Sequence, residues 1–194
     1  MIRYSDIFAK IDYNEIYERV HSSTDNQVRR VLSKETLHLA DFLVLLSPAA
    51  EIYLEQMAYR AKILTEKHFG KVINMYAPVY LSNECESGCV YCGFNKYKNI
   101  QRKSLNLIEA LNELKSLKLL GFHNVLLLTG ENLVKADIGY LVEHIIQARQ
   151  LFSYVALEIY PTTEENYTRF TNAGALGLTV YQETYHQDTY SKVH

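Results

Sequence analysis

No stretch of this chain stays apolar for long. The longest such run, Phe42 to Leu46, is far too short to cross a membrane, which takes about 20 residues. The N-terminus, MIRYSDIFAKIDYNEIYERV, carries charge in every turn and lacks the apolar centre of a secretory leader. A strong charge of either sign is missing too: the formal net charge is −2 over 194 residues. That balance gives no general attraction to nucleic acid, and no interleaving of aromatic and basic residues supplies one. The expectation is a cytoplasmic protein with no membrane span and no nucleic-acid partner. Neither a repeat nor a low-complexity segment interrupts the chain. With 48% hydrophobic and 22% charged residues it has the composition of a globular protein with a real core. Its length suits one ordinary domain or part of a larger one.

Cysteine is scarce, and its placement is informative. The chain has three, and Cys85, Cys89 and Cys92 all fall within NECESGCVYCGF, residues 83–94. A cytosolic setting and an odd count both argue against disulfides, so the group reads as metal or redox chemistry. Three thiolates can hold three corners of a four-iron cluster and leave the fourth iron open to a small molecule, as an open position makes a zinc site catalytic. A fully ligated electron-transfer cluster needs a fourth cysteine, which this sequence does not contain. The alternative is a structural Cys3His zinc site, for which the nearest downstream histidine is His123, about a helix away. Lys96, Lys98, Arg102 and Lys103 follow the cysteines, and that run reads as readily as a solvated loop as a functional patch.

Residues 1–70 read as helices. The clearest is expected after Ser47 and Pro48, an N-cap with proline at the first helical position. Leu54, Met57, Ala58, Ala61 and Leu64 form a stripe at helical spacing suited to packing, and Gly70 stops it. Beyond Gly70 the pattern alternates. Strands are expected at Val72–Leu81, Asn124–Glu131, Tyr154–Tyr160 and Leu176–Glu183. Between them come a helix capped by Ser104 with Leu107, Leu111, Leu114, Leu117 and Leu120 mostly inward, a helix from Asp137 to Gln150, and one with a Thr162–Glu165 capping box ending before Gly174. Strand and helix alternating in this way predict parallel βα units. The expected fold is α/β: a helical region, 1–70, then about four parallel strands with helices, 71–194, making about half of a TIM-type (βα) barrel.

The spacing C-x3-C-x2-C, with aromatic Tyr91 before the last cysteine, resembles the signature of the radical S-adenosylmethionine (SAM) superfamily. The cysteines follow the first barrel-type strand, at the end where an α/β barrel builds its active site. Thr129-Gly130-Glu131 ends the next strand. The segments LSPAAEIYLEQMAYRAKILTEKHFG, YLSNECESGCVYCGF, LLLTGEN and VYQETYHQDTY follow one another in the order and spacing of the 2-iminoacetate synthases, the tyrosine lyases of thiamin thiazole biosynthesis. The resemblance runs from about Leu46 to His194.

It implies a [4Fe-4S] cluster held by Cys85, Cys89 and Cys92, and SAM as second cofactor. Tyr91 matches an aromatic residue whose backbone lies near adenine, and Gly130 and Glu131 match the turn that binds the methionine moiety. Tyr80 matches a tyrosine at the substrate amino group. Glu158 and Glu183, at the ends of the later strands, are candidates in this frame for the SAM ribose hydroxyls or methionine moiety. His186 gets no role beyond a cap or surface hydrogen bond. The implied reaction cleaves the Cα–Cβ bond of L-tyrosine to 2-iminoacetate (dehydroglycine) and p-cresol, while SAM becomes 5′-deoxyadenosine and methionine. An electron donor such as flavodoxin or ferredoxin, and thiazole synthase, are the implied partners.

The resemblance also implies a second barrel half that carries the arginine and serine gripping the substrate carboxylate. This chain is therefore expected to be a fragment or truncated product, unstable or prone to associate through unpaired strand edges. Two other readings stand beside the main one. One is the tyrosine lyase of [FeFe]-hydrogenase cofactor assembly, which carries an additional C-terminal cluster. The other is a non-catalytic zinc- or cluster-binding module that docks on a partner such as thiazole synthase.

Overall fold

The structure is a computed structural model and describes residues 4–194. It divides into two compact units, Met1–Val72 and Ile73–His194.

The first unit is helical. It contains α1 (Tyr4–Phe8), α2 (Tyr13–His21), α3 (Asp25–Leu32), α4 (Leu39–Leu45), a 3-10 segment (Pro48–Tyr53) and α5 (Leu54–Phe69). Polar caps set the starts: Asp12 accepts from the Asn14 and Glu15 amides, and Thr24 and Gln27 form a reciprocal capping box. The buried apolar centre is small, with Val28, Val31 and Ala50. Arg60 of α5 donates to the carbonyls of Val31, Leu32, Lys34 and Glu35 and so satisfies the end of α3.

Two expectations here need correction. Ser47 does not cap a helix with its side chain; its hydroxyl turns back to the Val44 carbonyl at 2.6 Å. The winding after Pro48 is 3-10, and the α-helix starts only at Leu54. The apolar stripe of α5 is not packed either. No residue of α5 is buried, and Leu54 is 58% exposed.

The second unit contains β1 (Tyr76–Ser82), α6 (Leu107–Leu119), β2 (Asn124–Thr129), α7 (Ile138–Arg149), β3 (Tyr154–Glu158), α8 (Glu164–Ala173), β4 (Gly177–Thr179) and α9 (Gln187–Val193). The strands pair in chain order, all parallel, as the expected α/β half-barrel arrangement requires. Crossovers between neighbouring parallel strands are right-handed, which places successive helices on the same face of the sheet. Val79, Leu81, Val125, Leu127, Val155 and Leu157 pack on that face against Ala110, Leu114, Leu141, Ile145, Ala148 and Phe170. Each large aliphatic side chain removed from water there stabilises the fold by about 1.5–3 kcal/mol.

Element ends differ from expectation for local reasons. β1 begins at Tyr76, where pairing with Asn124 begins, and Val72 and Ile73 are exposed. Asn106, not Ser104, caps α6, accepting from the Ile108 and Glu109 amides. The Ser104 hydroxyl bonds Ser82 instead, 2.8 Å away. Of the leucines expected inward on α6, Leu114 is buried, whereas Leu107 and Leu120 lie exposed at its ends. Thr163 caps α8, while Thr162 accepts from the Asn166 side chain. Gly174, at φ +110, closes α8 in the left-handed conformation that glycine tolerates. β4 pairs over three residues only, and the chain from Val180 to Glu183 leaves the sheet.

His144 of α7 is 1% exposed. Its Nδ1 donates to the Tyr140 carbonyl at 2.7 Å, and its Nε2 is buried without a partner. Burial is the main cause that pushes its pKa below the ordinary 6.5. The unfolded chain therefore takes up this proton before the folded one does, so stability is full above about pH 6.5 and falls as the pH drops below it. Urea unfolding at about pH 7.5 and about pH 5.5 is expected to show a smaller acid loss in H144F than in the parent. An equal loss in both would show that His144 does not drive it.

Candidate functional site

The C-terminal ends of the four parallel strands meet at one rim. Tyr80, Leu128, Glu158 and Thr179 are register partners from β1 to β4, so they share one row across the sheet. Alternation puts that row on the face opposite the helices. Tyr80 is 53% exposed there and meets Phe94 edge-on at 5.5 Å.

Beyond Tyr80 the pairing shifts, and the chain leaves β1 into the cysteine loop. Backbone bonds pinch the base of the loop: the Leu105 amide donates to Leu81 at 2.8 Å and the Asn83 amide to Lys103 at 3.1 Å. The Asn83 side chain bridges the same strands, donating to Gln101 and accepting from Lys103. The Tyr140 hydroxyl lies 2.8 Å from both the Leu81 and Leu105 carbonyls, and burial raises its pKa to about 12. Inside the loop Cys92 closes a turn onto the Cys89 carbonyl, and the Phe94 amide points at Cys92 Sγ from 3.4 Å.

All three thiols are free. Cys89 is buried, which pushes its thiol pKa up; Cys85 and Cys92 are half-buried. Among the described residues no three His, Cys, Asp or Glu side chains converge where a single metal ion could sit. His123 precedes β2, at the end of the sheet away from the cysteines, so it is not available for a Cys3His zinc site. A four-iron cluster makes a different demand, because each thiolate goes to its own iron. Three free thiols on one closed loop, with an amide aimed at one sulfur, fit that demand. The buried Thr129 hydroxyl lacks a partner and lines the same cavity, as a group reserved for a ligand would.

The turn after β2 forms the second wall. The Gly130 amide donates to the Ser82 carbonyl at 2.8 Å, and the Glu86 amide to the Glu131 carbonyl at 2.9 Å. The Glu131 carboxylate accepts from the Ser87 hydroxyl at 2.6 Å. A Cβ on Gly130 would lie 2.3 Å from the Glu84 carbonyl oxygen and 3.0 Å from Cys85 Cβ. The close approach that glycine permits here is thus to the cysteine loop itself.

Glu158 and Glu183 complete the rim. Burial alone raises the Glu158 pKa. Glu183 lies 4.0 Å from His194 Nδ1. The Tyr91 hydroxyl is 2.7 Å from that same nitrogen, and burial, then the nearby Glu183 and Cys89 charges, push its pKa up. His194 Nδ1 also lies 3.3 Å from Cys89 Sγ. His186 caps α9 through its Nδ1, which accepts from the Thr189 amide.

The structure brings all nine sequence-predicted residues to one cavity of about 460 Å³: Tyr80, Cys85, Cys89, Tyr91, Cys92, Gly130, Glu131, Glu158 and Glu183. Sequence reasoning missed Ser87, Tyr160, Tyr181 and His194 in its lining. Ser87 had a signal, its place between two cysteines. The others carry none, because single tyrosines and histidines in a tyrosine-rich chain look alike.

Known proteins resemble this chain in sequence and in fold. The sequence profile of the radical SAM superfamily matches residues 79–194. The chain is 39% identical over 194 residues to 2-iminoacetate synthase of Escherichia coli (strain K12), covering 100% of this chain and 52% of that protein. Among solved structures, HydG, a maturase of the [FeFe]-hydrogenase, superposes with a TM-score of 0.87 at 28% identity, over 95% of this chain and 44% of that one. Methylornithine synthase (PylB) gives a TM-score of 0.63 at 26% identity, over 92% of this chain and 50% of that one. The chain spans about half the length of the curated 2-iminoacetate synthases it matches.

Gly130→Ala is expected to push the cysteine loop off its seat, because the atom it meets is backbone. The overpacking should cost about 1–3 kcal/mol in urea unfolding and lower the iron bound on anaerobic reconstitution. A variant with unchanged stability and iron content would contradict this account of the turn.

Proposed function

This chain belongs to the radical SAM superfamily, and we propose that it forms the cofactor-binding half of a tyrosine lyase. The reaction is cleavage of the Cα–Cβ bond of L-tyrosine to 2-iminoacetate and p-cresol, in the service of thiamin thiazole biosynthesis. One observation carries the reading: three free cysteines, the Gly130 turn and the strand-end row of Tyr80 and Glu158 share a single cavity. The identity of 39% along the whole chain to a 2-iminoacetate synthase supports the choice of substrate.

Cys85, Cys89 and Cys92 would hold a [4Fe-4S] cluster, with a corner left open for SAM. When bound, cluster and SAM together supply one-electron chemistry that yields a hydrogen-abstracting organic radical. The protein's own share is placement and shielding. Gly130 and Glu131 would receive the methionine moiety, and the backbone at Tyr91 would lie along the adenine. Glu158 sits where burial disfavours its charge, so hydroxyl donors from the ribose would stabilise its carboxylate. Glu183, on the far rim, is the second candidate for those hydroxyls or for the methionine ammonium. Tyr80 points into the cavity from the same row as Glu158 and would accept from, or donate to, the substrate amino group. Leu128, Ile159 and Phe94 line the cavity and would keep water from the reacting atoms.

An electron donor such as flavodoxin or ferredoxin would reduce the cluster, and a cytoplasmic location goes with that need. No helix among the described residues is long and apolar enough to cross a membrane. Thiazole synthase would be the consumer of the product. A second reading, maturation of an [FeFe]-hydrogenase, is favoured by the superposition on HydG.

The test is anaerobic incubation of the whole enzyme with reductant, SAM and L-tyrosine, reading p-cresol and 5′-deoxyadenosine by chromatography. Both products should form together. Tyr80→Phe should lower p-cresol by about tenfold or more, as loss of a positioned proton-handling group does. Formation of 5′-deoxyadenosine with no p-cresol would mean that the substrate is a different molecule.

A further inference from the structure

One side chain threads the neck of the cysteine loop. Arg102 Nη1 donates to the carbonyls of Asn83 and Phe94, each at 2.7 Å. Its Nη2 donates to the carbonyls of Asn95 at 2.7 Å and Lys98 at 3.4 Å. These acceptors lie on both sides of the cysteines. Asn83 precedes Cys85, and Phe94, Asn95 and Lys98 follow Cys92. A single rigid fork therefore fixes the distance between the two ends of the segment that carries all three thiols.

Among the described residues, every hydrogen-bond partner of Arg102 is a neutral backbone carbonyl. No ion pair among the described residues includes it. Converging carbonyls repel one another unless a donor lies between them, so the guanidinium is what lets the loop close. Asn95, 6% exposed, works from inside, donating to the Gly88 and Cys89 carbonyls at 2.8 and 2.6 Å. The basic run that follows the cysteines thus separates into local roles. Lys103 pairs with Glu109, Lys96 lies over the Tyr97 ring, and Arg102 turns inward.

We propose that Arg102 is a positioning residue: its guanidinium clamps the three-cysteine loop into its cluster-holding shape before any cluster is present. This rests on the reading of the loop as a cluster holder. The clamp acts on the empty loop, so it has a readout that does not depend on the cluster.

The experiment is amide hydrogen exchange on the full chain, metal-free, for the parent, R102Q and R102K. In R102Q the amides of Cys92, Asn95, Lys96 and Lys98, which close the loop's internal turns, should exchange about tenfold faster or more, while those of β2 and β3 keep their protection. R102K has the charge without the fork and should fall between. Anaerobic reconstitution should then give R102Q about threefold less iron and sulfide or lower still, with R102K recovering part of the loss. Unchanged loop exchange in R102Q overturns the proposal. So does faster exchange throughout β2 and β3, which would make Arg102 a residue of the whole fold. Full cluster loading in a loosened R102Q loop overturns it as well. A parent chain that binds no cluster, with the exchange result intact, sinks the cluster reading and with it the purpose assigned to the clamp. Those failures are distinct, because the first three arise in a parent that loads normally.

Discussion

The parallel pairing of four strands in chain order is the constraint on which the rest of the second unit depends. Right-handed crossovers between neighbours send α6, α7 and α8 to one face. That face becomes the core, and the opposite face carries the row of Tyr80, Leu128, Glu158 and Thr179. The same pairing brings every C-terminal strand end to one rim, so residues far apart in sequence, Tyr80 and Glu158 among them, stand in one row. A site at such a rim needs no special fold, only loops of the right chemistry.

The rim acquires that chemistry through the cysteine loop, and the loop's difficulty is polar. A long irregular segment packed against a sheet end must satisfy its own amides and carbonyls. Here the base is closed by backbone pairing of 81–83 with 103–105, the middle by Asn95, and the neck by Arg102. Gly130 lets the β2 turn press against Glu84 and Cys85 where any other residue would collide. The cysteines are thus placed largely by side chains that are not themselves ligands. Under the proposed function this would be the division of labour around a metal centre, in which outer groups orient the inner ones.

Much of this was legible in the sequence, for physical reasons that differ by element. The helix expected at Asp137–Gln150 has its cap at Asp137 and its end at Gln150, because periodicity and an N-cap agree there. β2 is a continuous apolar run and was readable as a buried strand. The cysteine spacing and the Gly130 turn stood out because so few residue types suit those tasks. The misses arose where local signals compete. Ser47 and Thr162 are good caps by type, but each hydroxyl is taken up locally, Ser47 by the Val44 carbonyl and Thr162 by the Asn166 side chain, and the α-helices start at Leu54 and Glu164. β4 reads as a long strand from its branched and aromatic residues, yet it pairs over three residues beside β3. The stripe on α5 has helical spacing but no burial, since periodicity reports an apolar face and not what covers it. Arg102 was visible only as one charge in a basic run; its role lies in four carbonyls that no spacing rule would gather.

The central claim is that three cysteines on one clamped loop hold an open four-iron cluster that takes SAM at its free corner. Electron paramagnetic resonance of the anaerobically reconstituted, reduced protein, recorded before and after addition of SAM, tests it most directly. The expected result is a four-iron signal whose shape changes when SAM is added. A signal indifferent to SAM, or bound zinc in place of iron and sulfide, would contradict it.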